Sequence, residues 1–381
     1  MSDANDIVVG VSLPQTGRYA RSAGVYYSRA YDLWIDAVNG RGGLLGRPVR
    51  LRVYDDGSEP ERTAENYRRL IHDDHVDLLL GPCHSNLTDG AAPVVEAAGR
   101  LLLQGSGSSH ELFRKGRRYL FLCWSGSDFD YPKSFLELVS RLARQGKRPK
   151  AALVYTDMRI GNAIALGTRH YAAELGIDLV FDEAIGDPPV DYADLMRRAR
   201  DAGPDVVLVG LDHTRPDKPR HKSLLAAQQA GFEPAQLWLS DNPSPRDAEE
   251  LGGAIDGVFM RGSWVWTDRS PVSQAFAKSF EAAFGSAPEY HSAGGYACCQ
   301  VLEQAVGETG TCDSGTLREH LLRTSFDTVM GSLRFTPSGL PDAAIQLCQW
   351  QGGSLEIVGP GGVATAEPKP PPTLSQPQPA H

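Results

Sequence analysis

The sequence has 381 residues, of which 41% are hydrophobic, and its formal net charge is −9 at pH 7. A chain of this length exceeds one ordinary hydrophobic core, so two domains are the default expectation. The negative charge argues against a nucleic-acid-binding surface, which needs a clustered basic face, and no apolar run approaches the roughly 20 residues that span a bilayer.

The N-terminus is polar through Asp6 and shows neither the basic nor the apolar segment of a secretory signal peptide. Two alternatives therefore stay open, a cytoplasmic protein or a protein whose signal peptide has been removed. The six cysteines include no CxxC pair, so we expect no zinc or redox motif. We interpret them as free and mostly buried thiols, although an even number also permits disulfides.

Apolar runs and helical repeats alternate along the first part of the chain. The β-branched run at 7–13 predicts a buried strand, and apolar residues at helical spacing over 22–38 predict a helix that Gly40 ends. Further strands are predicted at 47–54, 76–80, 101–103 and 119–124, with helices at 61–72 and 91–98. This alternation predicts a parallel sheet with right-handed crossovers.

The alternation restarts after Pro132, with predicted helices at 133–145, 162–175, 192–202 and 223–230 and strands at 151–155, 178–185, 205–210 and 236–240. Two such blocks in tandem predict an α/β protein with two doubly wound, Rossmann-like, parallel-sheet domains. The remainder predicts a long strand at 257–266, helices at 271–284, 292–306 and 314–324, and short strands at 333–335, 345–350 and 355–358. Residues 359–381 are rich in proline and poor in large apolar residues, which predicts a disordered tail.

Two neighbouring apolar runs, at 78–80 and 101–103, end in small polar residues. Ligands bind outside the carboxyl ends of parallel strands, and free N–H groups there attract anions, so this edge predicts half of a small-molecule site. Arg18 and Tyr19 follow the first strand, where an arginine can pair with a carboxylate and a tyrosine can stack on a ligand. The alternative to ligand binding is that the polar loops are ordinary turns and that Arg18 is solvated at the rim of a cleft. The candidates after the two runs are His84, Ser85, Ser106, Gly107, Ser108 and Ser109.

Strand ends in the second block supply further candidates, Tyr155, Asp212 and Asp241. An acidic residue at this edge would balance the ammonium of an amino-acid ligand, and the alternative role for each aspartate is to cap the helix that follows. Tyr290 precedes a helix of small residues and is a candidate for the wall of a pocket.

Other motifs argue against catalysis and metal binding. Cys83 and His84 are adjacent, but adjacent residues at a strand end point apart and no third group orients them, so we expect no catalytic dyad. The run 72–75 (HDDH) lies at a predicted helix end, where converging metal ligands are not expected. The sequence holds no GxxxxGK[ST] phosphate loop and no GxSxG nucleophile motif.

Several segments resemble the type I periplasmic-binding-protein family, in particular the receptors of branched-chain amino acid (Leu/Ile/Val-binding-like) ABC transporters. Residues 9–20 (VGVSLPQTGRYA) resemble the family's first strand and PxTG turn, and 39–49 (NGRGGLLGRPV) resemble its NxxGGxxGR segment. Residues 55–60 resemble its DDxxxP loop, 81–85 its ligand loop, and 328–339 (TVMGSLRFTPSG) its closing GxxxFxxxG motif.

The resemblance implies two lobes joined by three crossovers, near 124–127, 264–267 and 329–333. One lobe would comprise 7–124 with 267–329, and the other 125–266 with 330–358. It also implies a small ligand held in a cleft, no catalysis, no cofactor and no metal, and delivery to an ABC permease by a monomeric, periplasmic receptor.

The chain departs from the family in the second lobe. Family members that bind amino acids often carry a tyrosine in the loop matching 156–161, where this chain has Met158, Arg159 and Ile160, and another after 205–210, where it has Asp212 and His213. Amino acids, amides and aromatic carboxylic acids therefore all stay open as ligands. A cytoplasmic amide sensor of the same fold is the alternative to a periplasmic receptor. An enzyme is the third functional hypothesis.

Overall fold

The computed structural model describes residues 5–143, 147–211, 217–231, 235–238, 242–343, 345–359 and 363–369. The chain divides into two compact units, unit 1 (Met1–Gly126 and Arg269–Ala343) and unit 2 (Ser127–Asp268 and Ala344–His381). It therefore passes from one unit to the other three times.

Strands and helices alternate along most of the chain. The first block holds β1 (Ile7–Leu13), α1 (Val25–Gly40), β2 (Val49–Asp55), α2 (Pro60–His72), β3 (Leu78–Leu79), α3 (Ser85–Ala97), β4 (Leu102–Gln104), α4 (His110–Arg114) and β5 (Leu120–Leu122). The second holds α5 (Lys133–Leu142), β6 (Lys150–Thr156), α6 (Arg159–Glu174), β7 (Asp178–Ile185), α7 (Tyr192–Asp201), β8 (Val206–Gly210), α8 (Pro219–Gln229), β9 (Ala235–Trp238), α9 (Pro245–Leu251) and β10 (Phe259–Gly262). The remainder holds α10 (Pro271–Phe284), α11 (Tyr290–Thr309), α12 (Ser314–Leu321), β11 (Ser325–Thr328), β12 (Gly331–Arg334), β13 (Gln346–Gln351) and β14 (Ser354–Gly359).

Unit 1 is built on parallel strands in the order β2-β1-β3, which a single bridge between Leu80 and Leu103 joins to the pair β4-β5. The chain leaves β1 toward β2 on one side and reaches β3 on the other. Right-handed crossovers then place α1 and α2 on opposite faces of the sheet. In such folds the reversal of strand order marks the place where ligands bind, and in unit 1 it falls between β1 and β3.

Unit 2 has a seven-stranded sheet in the order β14-β13-β10-β9-β8-β6-β7. Alternate residues of β6 enter different cores, as the period of two in a strand requires. Leu153 packs with α5 and α6 on one face, and Ala152 and Val154 pack with α7 and α8 on the other. The sheet is buried on both faces, which explains why its strands are continuous apolar runs.

Three sequence predictions about organisation need correction. The third crossing lies at Ala343 and not at 329–333, because β12 pairs with β11 and the Gly339 carbonyl accepts a hydrogen bond from Leu122 N, which keeps 330–343 in unit 1. The predicted long strand at 257–266 reduces to β10, four residues long. Helix α9 and strand β11 were not predicted.

Part of the proline-rich tail contacts the sheet of unit 2, whereas the sequence predicts a disordered tail. The amide of Lys369 donates to Gln349 Oε1 at 2.8 Å, and Gln349 Nε2 donates back to the Lys369 carbonyl at 2.8 Å. Thr365 N donates to the Ile357 carbonyl at 2.8 Å. Residues 363–369 are therefore held along β13 and β14 and do not form a free tether, while residues 370–381 lie outside the described residues.

A backbone contact between two glycines fixes α11 against the end of β4. A Cβ on Gly294 would lie 2.3 Å from the Gly105 carbonyl oxygen and 2.6 Å from the Trp124 ring, and a Cβ on Gly105 would lie 2.4 Å from the Gly294 oxygen. Only glycine on both sides permits this approach. The position of the loop that begins at Gly105 therefore depends on α11.

We expect Gly294→Ala to lower the free energy of unfolding by about 1–3 kcal/mol, because backbone and an indole must move to admit the methyl group. The matched control is Gly307→Ala in the same helix, where a Cβ meets nothing within 4 Å. That change should stabilise the protein by about 0.5–1 kcal/mol through helix propensity. Urea denaturation checks both, and equal effects of the two substitutions would contradict the packing argument.

Candidate functional site

The loops at the carboxyl ends of β1, β3 and β4 form the candidate site of unit 1. Two buried tyrosines fix the end of β3: Tyr67 donates its hydroxyl hydrogen to the Leu80 carbonyl at 2.6 Å, and Tyr31 donates to the Gly81 carbonyl at 3.2 Å. The loop that follows, from Pro82 to His84, therefore starts from a rigid point beside the reversal of strand order.

Tyr19 and His84, predicted separately from two distant loops, are in contact. Their rings stack with centroids 4.0 Å apart and 17° between the planes. Asn86 Nδ2 donates to the Tyr19 hydroxyl at 3.2 Å, which ties the first turn of α3 to the loop after β1. The stack is a small aromatic surface at the switch point between β1 and β3.

His84 is also the N-cap of α3. Its Nδ1 accepts a hydrogen bond from Asn86 N at 3.2 Å, so the neutral ring carries its proton on Nε2. Thr88 reinforces this end of the helix, since its hydroxyl donates to the His84 carbonyl at 2.9 Å. The geometry gives His84 a fixed tautomer and a fixed ring plane.

The serines predicted after β3 and β4 come together in one hydrogen-bonded cluster. Ser85 Oγ accepts from Ser109 N at 3.2 Å, and Ser106 Oγ donates to the Cys83 carbonyl at 2.7 Å. Ser108 N donates to the Ser106 carbonyl at 2.8 Å, which closes a tight turn. The two loops therefore act as one structural unit with several hydroxyls.

Gly107 lies inside this cluster and is held on both sides of its peptide. Gln104 Oε1 accepts from Gly107 N, and Gln104 Nε2 donates to the Gly107 carbonyl, each at 2.6 Å. A Cβ on Gly107 would lie 2.6 Å from both the Gln104 amide and the Thr88 hydroxyl. The Gly107 N–H is thus bonded to Gln104, and close packing against Gln104 and Thr88 accounts for glycine at this candidate position.

Ser109 differs from its neighbours. It is 2% exposed, and its Oγ has no hydrogen-bond partner among the described residues. It is the N-cap of α4, yet its side chain makes no capping bond. A buried polar group without a partner costs about 1–3 kcal/mol, and this cost is removed when a ligand supplies the missing hydrogen bond.

Asp55 anchors the turn that carries Arg18 and Tyr19. Asp55 Oδ1 accepts from Gln15 N and Thr16 N, and its Oδ2 accepts from the Thr16 hydroxyl at 2.7 Å. Gly17 has φ +84°, and a Cβ there would lie 2.2 Å from the Gly57 carbonyl oxygen, so this close turn requires glycine. The PxTG and DDxxxP segments are therefore two sides of one contact.

Burial raises the pKa of the Asp56 carboxyl from its ordinary value of 3.8 to about 6, although hydrogen bonds from Ser58 N and the Ser12 hydroxyl act in the opposite direction. Burial also raises the pKa of Asp55, but the bonds from Thr16, Gly57 and Gln15 outweigh it and leave that pKa lowered. The pKa values of the two adjacent carboxyl groups are therefore shifted in opposite directions.

Arg18 and Tyr290 stand at the margins of the site. Arg18 is exposed, and its guanidinium lies 4.5 Å from the centroid of the Tyr19 ring, on which it stacks. Tyr290 is half-buried at the start of α11 and meets Trp124 edge-on, with ring centroids 6.0 Å apart. Both positions are compatible with the predicted roles at the rim and the wall of a pocket.

Tyr155 is the one predicted contact of unit 2 that the structure describes. It is 8% exposed at the end of β6, and its hydroxyl accepts from Arg169 Nη2 at 3.0 Å. Arg169 also forms a two-pronged ion pair with Asp182, at 2.7 and 2.8 Å. The Tyr155 hydroxyl therefore has a structural partner within its own unit, and its contact with a ligand stays a prediction.

Asp212, His213 and Asp241 lie outside the described residues. Sequence reasoning did not single out Arg261 at the end of β10, which is 5% exposed, donates to the Ser263 hydroxyl at 2.9 Å and lies 3.7 Å from the centroid of the Tyr131 ring. The signal was present in the sequence as one charged residue inside an otherwise apolar run.

The Cys83 thiol is not activated for catalysis. Burial, followed by the charge of Asp56, raises the pKa of Cys83 well above its ordinary value, so its thiol stays protonated. All six cysteines fall within the described residues and are free thiols. Among the described residues no group of His, Cys, Asp and Glu side chains could hold a metal ion, and no helix is long and apolar enough to cross a membrane.

Comparison with known proteins places the chain in a family. A family model described as periplasmic binding protein matches residues 6–354. The Leu/Ile/Val-binding protein homolog 7 of Brucella suis is 23% identical over 380 residues, which cover 95% of this chain and 93% of that protein.

Two solved structures share the fold. The ABC transporter substrate-binding protein of Desulfitobacterium hafniense in complex with Leu has a TM-score of 0.75 at 22% identity, covering 92% of this chain and 99% of that one. The solute-binding protein of an ABC transporter of R. palustris in complex with benzoate has a TM-score of 0.72 at 21% identity, covering 95% and 98%.

The chain therefore belongs to the periplasmic binding protein family. Its fold is the two-lobed type I fold of that family, and it is a non-catalytic solute-binding protein. The family, the fold class and the binding function predicted from the sequence are confirmed.

The raised pKa of Asp56 predicts a distinctive pH dependence of stability. The folded state holds this proton more tightly than the unfolded state, so the contribution is fully present below pH 3.8 and is lost as pH rises through about 6. The loss is at most about 3 kcal/mol for a shift of this size. We expect Asp56→Asn to remove this loss, so the stability of the wild type relative to the variant falls between pH 4 and pH 7.

Asp89→Asn is the matched control for this measurement. Burial raises the pKa of Asp89, but Lys115 and Arg117 outweigh it and lower that pKa, so its contribution is lost as pH falls. Denaturation curves at several pH values check both variants. The quantity compared is the difference in free energy of unfolding between the wild type and each variant, plotted against pH. If this difference has the same slope for both variants, or no slope for Asp56→Asn, the buried carboxyl has no proton linkage.

Proposed function

We propose that this chain is a receptor whose unit 1 captures the carboxylate or amide group of a small ligand, an amino acid in the leading case. The observation that carries the proposal is the buried Ser109 hydroxyl, which lacks a partner among the described residues and lies within the hydroxyl-rich cluster of Ser85, Ser106 and Ser108. A ligand oxygen or N–H group that bonds to it removes the cost of its burial.

The surroundings of Ser109 favour the polar head of a ligand over its apolar part. Ser85 and Ser106 supply hydroxyls, and the loops end parallel strands beside the reversal of strand order. Tyr19 and His84 stack at the same edge and form an apolar surface with polar tips. A ligand with one polar head and one apolar body fits this combination.

We also propose that the protein is monomeric, acts in the periplasm and transfers its ligand to an ABC permease. Membership of the periplasmic binding protein family supports this role. The relatives crystallised with Leu and with benzoate support an amino acid or an aromatic acid as the ligand class.

Ser109→Ala separates binding from folding. Without ligand, the variant should be as stable as the wild type or more stable, because the lost hydroxyl had no partner among the described residues. Its affinity for the ligand should fall about tenfold, the value of one hydrogen bond. A thermal-shift screen with leucine, a primary amide and benzoate identifies the ligand, since a ligand that binds only the folded state raises the melting temperature.

The control for this test is Ser140→Ala, whose hydroxyl donates to the Leu175 carbonyl at 3.2 Å within unit 2. This variant should lose about 1 kcal/mol of stability and keep its affinity. If Ser109→Ala destabilises the unliganded protein and leaves affinity unchanged, the assignment of the site is wrong.

An aromatic carboxylic acid is the second candidate ligand, and the Tyr19–His84 stack favours it. An aromatic ring that meets the edge of this stack gains about 0.5–1.5 kcal/mol beyond its buried area.

Tyr19→Ala should then weaken benzoate binding by up to about tenfold, whereas Tyr19→Phe, which keeps the ring and loses the hydroxyl with its bond from Asn86, should change it little. Calorimetric titration of both variants with benzoate and leucine checks this. Equal losses for the two substitutions would exclude contact with the Tyr19 ring as the cause.

A further inference from the structure

Residues 363–369 contact unit 2 through a small surface on the strands β13 and β14. This surface, here called the glutamine surface, consists of Gln349, Gln351 and Ile357. The residues of the segment that it binds are Thr365, Glu367 and Lys369. The bound residues alternate along the chain, which is the period of two of an extended strand. The segment is therefore held as an extended peptide.

The Gln349 side chain pairs with Lys369 as a neighbouring strand residue would. Its Oε1 accepts from Lys369 N and its Nε2 donates to the Lys369 carbonyl, each at 2.8 Å, which is the exchange made by a hydrogen-bonded pair in an antiparallel ladder. Gln349 Nε2 also donates to the Gly257 carbonyl at 3.2 Å. Gln351 Nε2 donates to the Glu367 carbonyl at 2.9 Å. Gln349 is 1% exposed, although glutamine is seldom buried, and the segment supplies two of the bonds that such burial requires.

Thr365 anchors the segment at the edge of β14. Its N–H donates to the Ile357 carbonyl at 2.8 Å, and Ile357 N donates to the Thr365 hydroxyl at 2.9 Å. The same hydroxyl donates to the Glu356 carboxylate at 2.5 Å. Thr365 is thus bound through its side chain as well as its main chain. Glu367 and Lys369 are exposed, and the glutamine surface holds them through their main chain.

The proline at position 368 falls where the glutamine surface uses no N–H group. The surface binds the carbonyl of Glu367 and both main-chain groups of Lys369, so Pro368 removes none of these bonds. Proline also fixes φ in the extended range and lowers the entropy that is lost when the segment is ordered. These two effects explain how a segment with the composition of a disordered chain is bound to the sheet.

The glutamine surface lies toward the amino ends of the parallel strands of unit 2. Gln349 pairs with Phe259, the first residue of β10, and β10 runs parallel to β9. Ligands of such folds bind at the opposite edge, outside the carboxyl ends of the strands. The surface is therefore separate from that edge, and it shares no residue with the serine cluster of unit 1.

We propose that the glutamine surface is a binding site for an extended, proline-containing peptide segment, and that residues 365–369 occupy it as an internal ligand. A simple extension of the sheet would account for the pairing of Thr365 with Ile357. It would not account for two glutamine side chains that bond to the main chain of alternate residues. Every residue except proline has the N–H and carbonyl groups that are bound at 369, so a separate segment with the same backbone pattern fits the same surface.

Hydrogen exchange in the full chain tests whether residues 365–369 are bound through their main chain. Lys369→Pro removes the N–H that Gln349 accepts, and it should speed the exchange of the Thr365 amide about tenfold, the value of one hydrogen bond. The matched control is Lys369→Ala, which keeps the N–H, removes only the exposed side chain and should leave the exchange unchanged. Mass spectrometry of fragments that cover 363–369 checks both variants, and a melting curve establishes that each is folded.

A separate, amidated peptide with the sequence of residues 363–369 (VATAEPK) tests whether the surface accepts a second segment. In fluorescence anisotropy it should bind the Lys369→Pro variant up to about tenfold more tightly than the wild type, because the weakened internal ligand competes less well. A peptide with proline in place of its lysine should bind that variant about tenfold more weakly.

Three outcomes would overturn the proposal. The first is that Lys369→Ala speeds the exchange as much as Lys369→Pro does, which would mean that the Lys369 side chain holds the segment. The second is that the peptide does not bind the Lys369→Pro variant below about 10 mM, and the third is that it binds the wild type and this variant equally. Ser109→Ala should leave peptide binding unchanged, so a failure here is distinct from a failure of the ligand site in unit 1.

Discussion

The contact between the turn after β1 and the loop after β2 supports the rest of the candidate site in unit 1. Asp55 accepts three hydrogen bonds across it, from Gln15 N, Thr16 N and the Thr16 hydroxyl, and a fourth within its own loop from Gly57 N. The Ser58 hydroxyl then accepts from Tyr19 N and donates to the Thr16 carbonyl. These bonds determine where the Tyr19 ring lies.

The positions of the other residues of the site follow from the position of the Tyr19 ring. The Tyr19 ring stacks on His84, His84 caps α3, and the first residue of α3, Ser85, accepts from Ser109 N in the loop after β4. The chain of contacts links the ends of β1, β2, β3 and β4 without a long side chain. Because every link is short and partly buried, the orientation of the hydroxyls is established before any ligand arrives, which reduces the entropy lost on binding.

Sequence reasoning succeeded where the physical signal is local. The alternation of strands and helices, the PxTG and DDxxxP segments and the polar ends of β3 and β4 all depend on residues close in the chain, and the structure brings Tyr19, His84, Ser85, Ser106 and Ser109 together. It did not succeed where distant pairing decides. The crossing at Ala343 depends on Gly339 reaching Leu122, and the attachment of 363–369 depends on Gln349 and Ile357. Neither pairing leaves a periodic pattern in the sequence.

The described residues at the strand ends of the two units differ in chemistry. Unit 1 presents hydroxyls around a buried Ser109, with a neutral His84 held as a cap. Unit 2 holds buried arginines over aromatic rings, Arg261 over Tyr131 and Arg220 over Trp238. Burying a guanidinium costs free energy unless aromatic faces and hydrogen bonds replace its bound water. In unit 2 an aromatic ring provides this compensation for both arginines. Each guanidinium also donates a hydrogen bond within its own unit, Arg261 to the Ser263 hydroxyl and Arg220 to Asp247, so its position is set by the fold before any ligand is considered.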